Sequence, residues 1–421
     1  MTSIERLKKI IDERMKDNET NIIAVHLMRQ YTNARLNCDG SGNIKTCTYG
    51  GVDRTLCSSA AIKNGQKEYL RRNYKNLDIG IDTRRIGELV LAEYLRDYYK
   101  KETGVELSDD NEDKISLILK NIFKDGNDDS GKSCEKKGRK SDANDITITT
   151  KESNRYSANE IKCIADTFVE FFKTLDDFSN KTKWTGFKEE VISRIGELHN
   201  CGHFICLFGR MSTCFIKTIE SSIAVANAFG VIKKSYDSIY QSRREFVFGN
   251  KYDPDKNPGA ANLFDIDIDS PLLIEEYSID VNQMIENEMK YNGIETREEA
   301  REIAREIIGI YVEAIFRSNP TGGQKTNSST PLPELMYVTF SKGGNTYGNY
   351  FVTPVRNPSD AINIFTKKII PQNYEGVGKD KKMLFLSPLY FDRKEEFGIT
   401  DDIVDTTKSN NDIINFVKDN I

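Results

Sequence analysis

The chain has 421 residues, of which 38% are hydrophobic and 30% are charged, as expected of a globular chain slightly more polar than average. No run of about 18 apolar residues occurs, so the sequence predicts no membrane span. The formal net charge of −5 excludes a protein that coats nucleic acid over its whole surface, but it leaves room for one basic groove, because local potential governs local binding. Eight cysteines without a framework spacing, and an N-terminus without the apolar core of a signal peptide, predict free thiols and a cytoplasmic protein.

The predicted elements alternate between helices and strands. Apolar residues at helical spacing predict an amphipathic helix over 4–16, and the β-branched run 22–28 predicts a buried strand. Further helices are predicted at 81–101, 114–123, 158–175, 187–198, 297–315 and 358–368, and further strands at 146–150, 203–208, 219–228, 263–269, 336–341 and 383–390. Strands interleaved with helices indicate α/β or α+β layering.

Two long stretches show no periodic spacing of apolar residues. Residues 124–145 contain no large apolar side chain, which predicts a mobile loop. The basic part of that loop, 132–140, could touch nucleic acid or could simply be solvated. Residues 230–258 are polar and aromatic, and an excursion of that length is either functional or disordered.

Residues 31–75 reverse the charge of the chain, with eight lysines and arginines against three acidic residues. Such a local reversal is expected of a phosphate-binding surface. Gly50 and Gly51 would let the backbone approach a ligand closely, and Ser58 and Ser59 can donate hydroxyls to phosphate or cap the helix that follows. The remaining basic candidates are Lys45 and the helical series Lys63, Lys67 and Arg71, spaced four residues apart.

None of these groups is placed to read a base edge, so the patch would bind nucleic acid without sequence preference. The alternative is a solvated helix face beside an ordinary loop.

Three motifs in order resemble a known family. The first comprises Leu36, Asn37, Asp39, Lys45, Tyr49, Gly50, Gly51, Ser58, Ser59 and Lys63; the second is Gly209-Arg210-Met211-Ser212-Thr213 followed by 222–226; the third is Pro320-Thr321-Gly322-Gly323-Gln324-Lys325-Thr326 before the strand 336–340. This set resembles the CasC family of the RAMP superfamily, the backbone subunits of the type I CRISPR complex Cascade, closest to subtype I-E. The chain departs from the family pattern at Cys38, at Ala60 and in the reversed order of Gln324 and Lys325.

The resemblance implies an α+β fold built on an RRM-like (ferredoxin-like) palm. The palm would comprise 20–70 and 201–421, with a helical fingers insertion at 71–200 and a β-hairpin thumb at 231–260. Residues 1–19 would be a helical extension outside the family pattern.

The resemblance also implies a non-catalytic protein without cofactor or metal. It would bind a CRISPR guide RNA, contact further copies of itself and other Cascade subunits, and reach target DNA through the guide. The RNA-binding residues would be Lys45, Gly50, Gly51, Ser58, Ser59, Lys63, Lys67, Arg71, Arg210, Met211, Gln324 and Lys325, and thumb residues Phe248, Lys251 and Tyr252 would displace a base. For Arg210 an acidic neighbour is the alternative to phosphate, and for Met211 it is a place in the core.

Two other constellations stay open. His199, Cys201, His203 and Cys206 could bind Zn²⁺, although their spacing fits no common finger; the alternative is a structural segment with buried thiols. Asp265, Asp267 and Asp269 would share one face of a strand and could hold Mg²⁺ for RNA cleavage, against the solvent face of a half-buried strand. A protein scaffold without RNA is the remaining reading.

Overall fold

The computed structural model describes residues 22–84, 86–90, 95–103, 153–173, 181–212, 216–243, 261–341, 348–372 and 381–421, together with Ile4 and Glu106. The helix predicted at 114–123, the loop at 124–145 and the strand at 146–150 lie outside the described residues, as does nearly all of the helix predicted at 4–16.

The described strands and helices have the following bounds. The strands are β1 (Ile22–Gln30), β2 (Thr46–Tyr49), β3 (Val52–Cys57), β4 (Ile81–Thr83), β5 (Asn154–Tyr156), β6 (Ile223–Val225), β7 (Ala228–Gly230), β8 (Asp237–Arg243), β9 (Ala261–Ile268), β10 (Leu272–Asp280), β11 (Leu335–Ser341), β12 (Lys382–Leu386) and β13 (Asp405–Thr407). The helices are α1 (Ser59–Asn73), α2 (Ile86–Val90), α3 (Arg96–Thr103), α4 (Ala158–Lys173), α5 (Lys181–Glu197), α6 (His203–Phe208), α7 (Val281–Tyr291), α8 (Arg297–Arg317), α9 (Gln324–Asn327), α10 (Pro358–Ile364), α11 (Ile370–Gln372), α12 (Pro388–Phe391) and α13 (Asn410–Asp419). A π-helical turn at Phe365–Ile369 joins α10 to α11.

The chain divides into two compact units. Unit 1 comprises Met1–Asn73, Ala224–Val281 and Ile308–Ile421, and unit 2 comprises Tyr74–Ile223 and Asn282–Ile307. Among the described helices, none combines the length and apolar character needed to cross a membrane.

A large, mainly antiparallel sheet is the centre of unit 1. Its strand order is β13-β12-β11-β1-β10-β7-β3-β2, and β6 also pairs with β10. In the middle of the sheet β1 is flanked by β10 and β11, and it pairs antiparallel with both. Only the pairing of β12 with β13 is parallel among the registers described. This mixed helix and strand architecture confirms the α+β prediction.

The two faces of this sheet carry different layers, because side chains alternate along each strand. One face presents Met28, Ile274 and Tyr337 to an apolar core that α10 and the following helical turns cover. The other face presents Arg29, Glu275 and Tyr277, which are buried. On that second face Tyr311 of α8 donates a hydrogen bond to Gln66 of α1 at 3.1 Å.

A separate two-stranded sheet consists of β8 and β9. The two strands are antiparallel, and Asp237 pairs with Ile268 at one end of the sheet. The strand predicted at 263–269 is confirmed as β9 (Ala261–Ile268), and the strand that lies beside β1 in the central sheet is β10. The alternation of Ile266 and Ile268 with aspartates fits a strand of either sheet, because both would bury one face. Pairing partners are a property of the tertiary fold.

Unit 2 is rich in helices. Aromatic and aliphatic residues of α4 and α5 form its core, where the rings of Phe168 and Phe187 meet edge to face at 5.3 Å. The predicted helices at 158–175 and 187–198 are confirmed, and the helix predicted at 81–101 is replaced at its start by β4, which pairs with β5.

The strand predicted at 203–208 is wrong, because these residues form α6. A run of six apolar or aromatic residues has no period of its own and fits a buried helix as well as a buried strand. Gly202 and Gly209 bracket the helix with φ values of +87° and +65°, a conformation that favours glycine. The strand predicted at 219–228 is reduced to β6, with β7 following it, and the strand predicted at 383–390 ends at Leu386 before α12.

Candidate nucleic-acid interface

The loop before β2 is shaped by its own side chains. The Asp39 carboxylate accepts hydrogen bonds from the backbone N–H groups of Ser41 and Asn43, both at 2.9 Å. The bond from the Asn43 backbone is the main reason that the pKa of Asp39 lies below its ordinary value. The backbone of Lys45 continues this structure, since its N–H donates to the carbonyl of Asn37 and its carbonyl accepts from Leu56. Lys45 is therefore held at a fixed place on the sheet edge, half-buried.

The turn between β2 and β3 consists of Gly50 and Gly51, with φ values of +63° and +77°. Positive φ at both central residues is what a type I′ hairpin turn requires. The two glycines differ in their surroundings. A Cβ on Gly50 would lie 1.7 Å from the carbonyl oxygen of Val352, whereas a Cβ on Gly51 would meet nothing within 4 Å. Gly50 thus serves close packing within unit 1, and Gly51 is the glycine with open space for a ligand.

The first turn of α1 is capped from within the protein. The Ser58 hydroxyl accepts from the N–H of Ala61 at 3.4 Å. The N–H of Ser58 donates to the Asn37 side chain at 3.1 Å, and the N–H of Ser59 donates to the Asn227 side chain at 2.9 Å. Ser58 therefore caps the helix as predicted, and two backbone donors at this end already have protein acceptors.

The basic residues of α1 lie on a confirmed helix. Lys63 and Lys67 are half-buried, and Arg71 is exposed near its end. The spacing of four residues places the three on one face.

The third motif lies directly against the first, although about 260 positions separate them in the chain. Asn64 of α1 donates to the Thr321 hydroxyl at 3.1 Å, and Asn327 donates to the Asn33 carbonyl at 2.8 Å. Gly322 allows the closest approach, since a Cβ there would lie 2.1 Å from the Leu36 carbonyl oxygen. This brings the loop that carries the exposed Lys325 against α1, which carries Lys63, and against the segment that leads to Lys45. Hereafter the "basic surface" means Lys45, Ser58, Ser59, Lys63, Lys67 and Lys325.

Gln324 shapes this loop. Its side-chain amide donates to the carbonyls of Pro320 at 3.0 Å and Ser329 at 2.8 Å. Its N–H groups are therefore used inside the loop, and Lys325 is the member of the pair whose side chain is exposed.

Arg29 of β1 bonds to the backbone at both ends of the same loop. Its fully buried guanidinium donates to the carbonyls of Ile315, of Phe316 at 3.0 Å and of Pro331 at 3.1 Å. Its Nε lies 3.4 Å from the Glu275 carboxylate. Burial raises the pKa of Glu275, and the Arg29 charge opposes that rise. Arg29 has no signal of its own in the sequence, because an arginine within an apolar strand has no distinguishing pattern.

Two asparagines were also missed as parts of the site. Asn37 belongs to the first motif, so the signal for it was present in the sequence. Asn227 has no such signal, because only the fold brings it to the start of α1.

The second motif lies in unit 2, and its two central residues differ. The Arg210 guanidinium is buried and forms two hydrogen bonds of 2.6 Å to the Glu160 carboxylate. Arg210 was predicted to bind RNA, with an acidic neighbour as the alternative; the structure supports the acidic neighbour, since the guanidinium is enclosed and occupied. Met211 is 78% exposed, so the core alternative for this side chain is wrong.

The segment just before β8 is hydrogen-bonded to β3. The Tyr236 hydroxyl donates to the Asp53 carboxylate, and the Lys234 ammonium lies 4.7 Å from the Tyr236 ring centre. The hydrogen bond from Tyr236 is the main reason that the pKa of Asp53 is lowered. Phe248, Lys251 and Tyr252 lie outside the described residues.

A model of the CT1975-like protein family matches residues 23–372. The chain belongs to this family. The match spans all three motifs and both units, and no curated protein matches the chain.

Two solved structures resemble this family member in fold. One is described as "CRISPR RNA-guided surveillance complex, pre-nicking", with 15% identity, coverage of 95% of this chain and 100% of that chain, and a TM-score of 0.67. The other is described as "CRISPR RNA-guided surveillance complex", with 15% identity, the same coverages and a TM-score of 0.62. Family and fold together confirm the resemblance to CasC-like subunits that the motifs indicated.

The acidic strand of this CT1975-like protein does not form a three-carboxylate set. Asp265 and Asp267 are exposed on β9, but Asp269 lies beyond the strand and is buried. Its carboxylate accepts from Thr55, from Ser235 at 2.9 Å and from the N–H of Ser270 at 2.8 Å. The prediction of one shared face is therefore wrong for Asp269, since the chain leaves the strand before it.

The histidine and cysteine segment of unit 2 is engaged in internal contacts. His203 Nδ1 lies 2.9 Å from the Glu288 carboxylate, and this bond raises the pKa of His203. Burial raises the pKa of Cys201 to about 11 and that of Cys206 further. Within the described ranges, no group of three or more histidine, cysteine or acidic side chains is arranged to hold a metal ion.

Proposed function

We propose that this CT1975-like protein is an RNA-binding backbone subunit of a Cascade-type CRISPR complex. Several copies would assemble head to tail along one guide RNA, together with the other subunits of the complex. The subunit would have no catalytic role, and it would present the guide for pairing with target DNA, so that sequence choice belongs to the guide.

The topology of unit 1 supports an RRM-like palm. The strands β1, β7, β10 and β11 occur in the sheet in the order β11-β1-β10-β7, with antiparallel neighbours. Helix α1 lies between the first and second of these strands in the chain, and α8 lies between the third and fourth. That is the connectivity of the βαββαβ ferredoxin-like unit. On this proposal β8 and β9 are the base of the thumb, and the helical part of unit 2 contains the fingers.

The observation that carries the proposal is the meeting of two motifs on the basic surface. Thr321 bonds to Asn64 and Gly322 lies against Leu36, so the loop of Lys325 packs against α1, which carries Lys63, and against the segment that leads to Lys45. Lysines and serine hydroxyls bind phosphate oxygens without reading bases. A groove of this kind would hold a guide of any sequence by its backbone.

The exposed Met211 and the thumb would supply the periodic contact with bases. An unbranched thioether 78% exposed to solvent can wedge against a base, as apolar side chains do where they separate stacked bases. The bases between such wedges would remain free to pair with DNA.

The test is charge reversal on the basic surface. Lys45→Glu combined with Lys63→Glu should abolish guide retention when the protein is co-expressed with a CRISPR array and its neighbouring subunits, because two attractive phosphate contacts become repulsive. The readout is the RNA content and mass of the purified particle. Lys368→Glu is the matched control, since this exposed lysine lies in unit 1 on the helical layer that covers the opposite sheet face.

A large particle with one discrete RNA of guide length in the wild type and in the control, and loss of that RNA in the double variant, would support the proposal. An RNA-free wild-type particle, or a double variant with full RNA content, would contradict it. An RNA-free wild-type particle of discrete size would favour the protein-scaffold reading.

A further inference from the structure

Arg35 is one of the eight basic residues of 31–75, and none of the three motifs includes it. It lies between β1 and β2, and it is half-buried. Its Nε donates to the Cys38 thiol at 3.2 Å, and its Nη2 donates to the Gly42 carbonyl. Both acceptors are neutral. Among the residues that the structure describes, no carboxylate lies within ion-pair distance of this guanidinium, and no acceptor bonds to its Nη1.

Two fully buried arginines of the central sheet differ from Arg35. The guanidinium of Arg29 lies beside the Glu275 carboxylate, and the two terminal nitrogens of Arg54 donate to four backbone carbonyls at 2.8 to 3.2 Å. Both side chains are enclosed by the protein, so an outside ligand has no access to them. Arg35 keeps both unused donors and access to solvent, which are the two properties that an outside anion requires.

Arg35 lies where the loops of two motifs meet. Its backbone packs against the loop that carries Lys325, since a Cβ on Gly323 would lie 2.9 Å from the Arg35 carbonyl oxygen and 3.0 Å from the Arg35 Cβ. At the other end of the side chain, the guanidinium is bonded to Gly42, three positions before Lys45. Arg35 thus brings a positive charge to the junction of the two loops.

The surroundings of this guanidinium favour an oxyanion. Partial burial removes water from the charge without supplying an opposite one, and this is unfavourable until an anion binds. A planar guanidinium offers its N–H groups in a fork that matches the spacing of two phosphate oxygens. Because hydrogen bonds to Cys38 and Gly42 already hold the side chain, little of its conformational entropy is lost on binding.

We propose that Arg35 binds a phosphate of the guide RNA at the junction of the loop 39–43 and the loop 320–326. This inference rests on the RNA-binding function proposed above, and it adds a phosphate ligand outside the basic surface defined there. Every nucleotide carries the phosphate, so the contact accepts a guide of any sequence. The competing role is structural, with Arg35 only holding the loop 39–43 through Gly42.

The test separates the charge of Arg35 from its hydrogen bonds. Arg35→Gln removes the charge but keeps a side-chain amide that can donate to a carbonyl, whereas Arg35→Lys keeps the charge and loses the fork. Guide release from the purified particle is titrated with NaCl. Arg35→Gln should reduce the slope of log affinity against log salt by about 0.7 for each copy of the subunit, as loss of one phosphate contact on a single strand does. Arg35→Lys should keep the wild-type slope.

Arg393→Gln is the matched control, since this exposed arginine of unit 1 is paired with Glu396 at 2.6 Å in the layer on the opposite sheet face. It should leave the slope unchanged. A wild-type slope for Arg35→Gln would overturn the inference. Equal losses of slope in the Arg35→Gln and Arg35→Lys variants would also overturn it, because they would assign Arg35 the structural role.

A second measurement needs no variant. Phenylglyoxal modifies accessible guanidinium groups, and mass spectrometry of the peptides locates the modified arginines. Arg35 should react severalfold more slowly in the guide-bearing particle than after ribonuclease digestion of the guide, while Arg393 should react at the same rate in both. Equal rates at Arg35 would overturn this inference and leave the proposed function standing, whereas a wild-type particle without RNA would overturn both.

Discussion

Adjacent glycines of the β2–β3 turn have different roles despite their similar backbone conformations. Both have positive φ, which the type I′ turn requires. Only Gly50 lies against other backbone, that of Val352. The family-like Gly-Gly pair therefore combines one packing residue and one open residue, a distinction that follows from the neighbours of each Cα.

Gly50→Ala should destabilise the protein about 2–4 kcal/mol more than Gly51→Ala does. Alanine in the left-handed conformation costs about 1 kcal/mol of stability at either position. At Gly50 its Cβ would also overlap the Val352 carbonyl. Urea denaturation of the two variants measures the difference. Equal destabilisation would show that the turn can move away from Val352 without loss.

The Arg210–Glu160 pair is a second feature at the residue scale. Glu160 completes a capping box at the start of α4, since its carboxylate accepts from the Ser157 N–H at 2.9 Å and its N–H donates to the Ser157 hydroxyl at 3.0 Å. The same carboxylate holds the buried guanidinium of Arg210. A residue of the Gly-Arg-Met motif thus acts inside unit 2, next to the exposed Met211.

Glu160→Ala should reduce the free energy of unfolding by about 3–5 kcal/mol, because it leaves a buried guanidinium without its carboxylate. Glu190→Ala is the matched control, since Glu190 forms an exposed i,i+4 pair with Arg194 in the same unit, and its loss should cost at most about 0.5 kcal/mol. Thermal and denaturant unfolding of both variants checks this. A cost for Glu160→Ala as small as that of the control would mean that Arg210 finds another partner.

At the scale of elements, helix α1 and the loop 318–328 are joined by backbone contact. Gly65 makes this possible, because a Cβ there would lie 2.3 Å from the Asn319 carbonyl oxygen. Arg29 fixes the ends of the loop from the sheet side. The position of Lys325 relative to Lys63 therefore depends on a glycine in the helix and on a buried arginine beneath the loop.

Gly65→Ala should push α1 and the loop apart, reducing stability by about 1–3 kcal/mol and lowering guide retention without removing a charge. Gly196→Ala, in helix α5 where nothing lies within 4 Å of the added Cβ, should instead add about 0.5–1 kcal/mol, because alanine is the better helix former. Denaturant midpoints and the RNA content of the particle are the two readouts. Unchanged RNA content in a folded Gly65→Ala particle would separate the loop from guide binding.

At the scale of the whole molecule, charge is distributed unevenly. The chain carries a formal net charge of −5, yet residues 31–75 hold eight basic and three acidic residues. The fold adds Lys325 to this region from a distant part of the sequence. Under the proposed function, such an arrangement would attract the phosphate backbone of a single strand to this region.

Guide affinity should therefore fall steeply with salt, and the slope should depend on named residues. Removing two phosphate contacts with Lys45→Ala and Lys63→Ala should reduce the slope of log affinity against log salt by about 1.4, at about 0.7 per contact for single strands. Titrating guide release with NaCl measures the slope, and Lys368→Ala serves as the control that leaves it unchanged. An unaltered slope in the double variant would place these two lysines away from the phosphates.

Much of the fold could be predicted from periodicity, because long elements bury one face. The strand β1 and the helices α4, α5, α8 and α10 were predicted close to their observed bounds. The short apolar segment 203–208 was not, since it forms a helix and not the predicted strand. Its local pattern fits either structure, and burial by distant residues chooses between them.

The amino-acid sequence by itself determined the family, the mixed α+β class, the cluster of positive charge at 31–75 and the helix that carries Lys63 and Lys67, because these depend on residue type and on short spacings along the chain. Only the tertiary structure decided that Arg210 is buried on Glu160, that Asp269 leaves the acidic strand and that the loop of Lys325 packs against α1. The physical reason is that each of these depends on which distant segments share a sheet face or a backbone contact. The spacing of residues along the chain does not show which distant segments come into contact, whereas packing and hydrogen bonding in the folded molecule determine it.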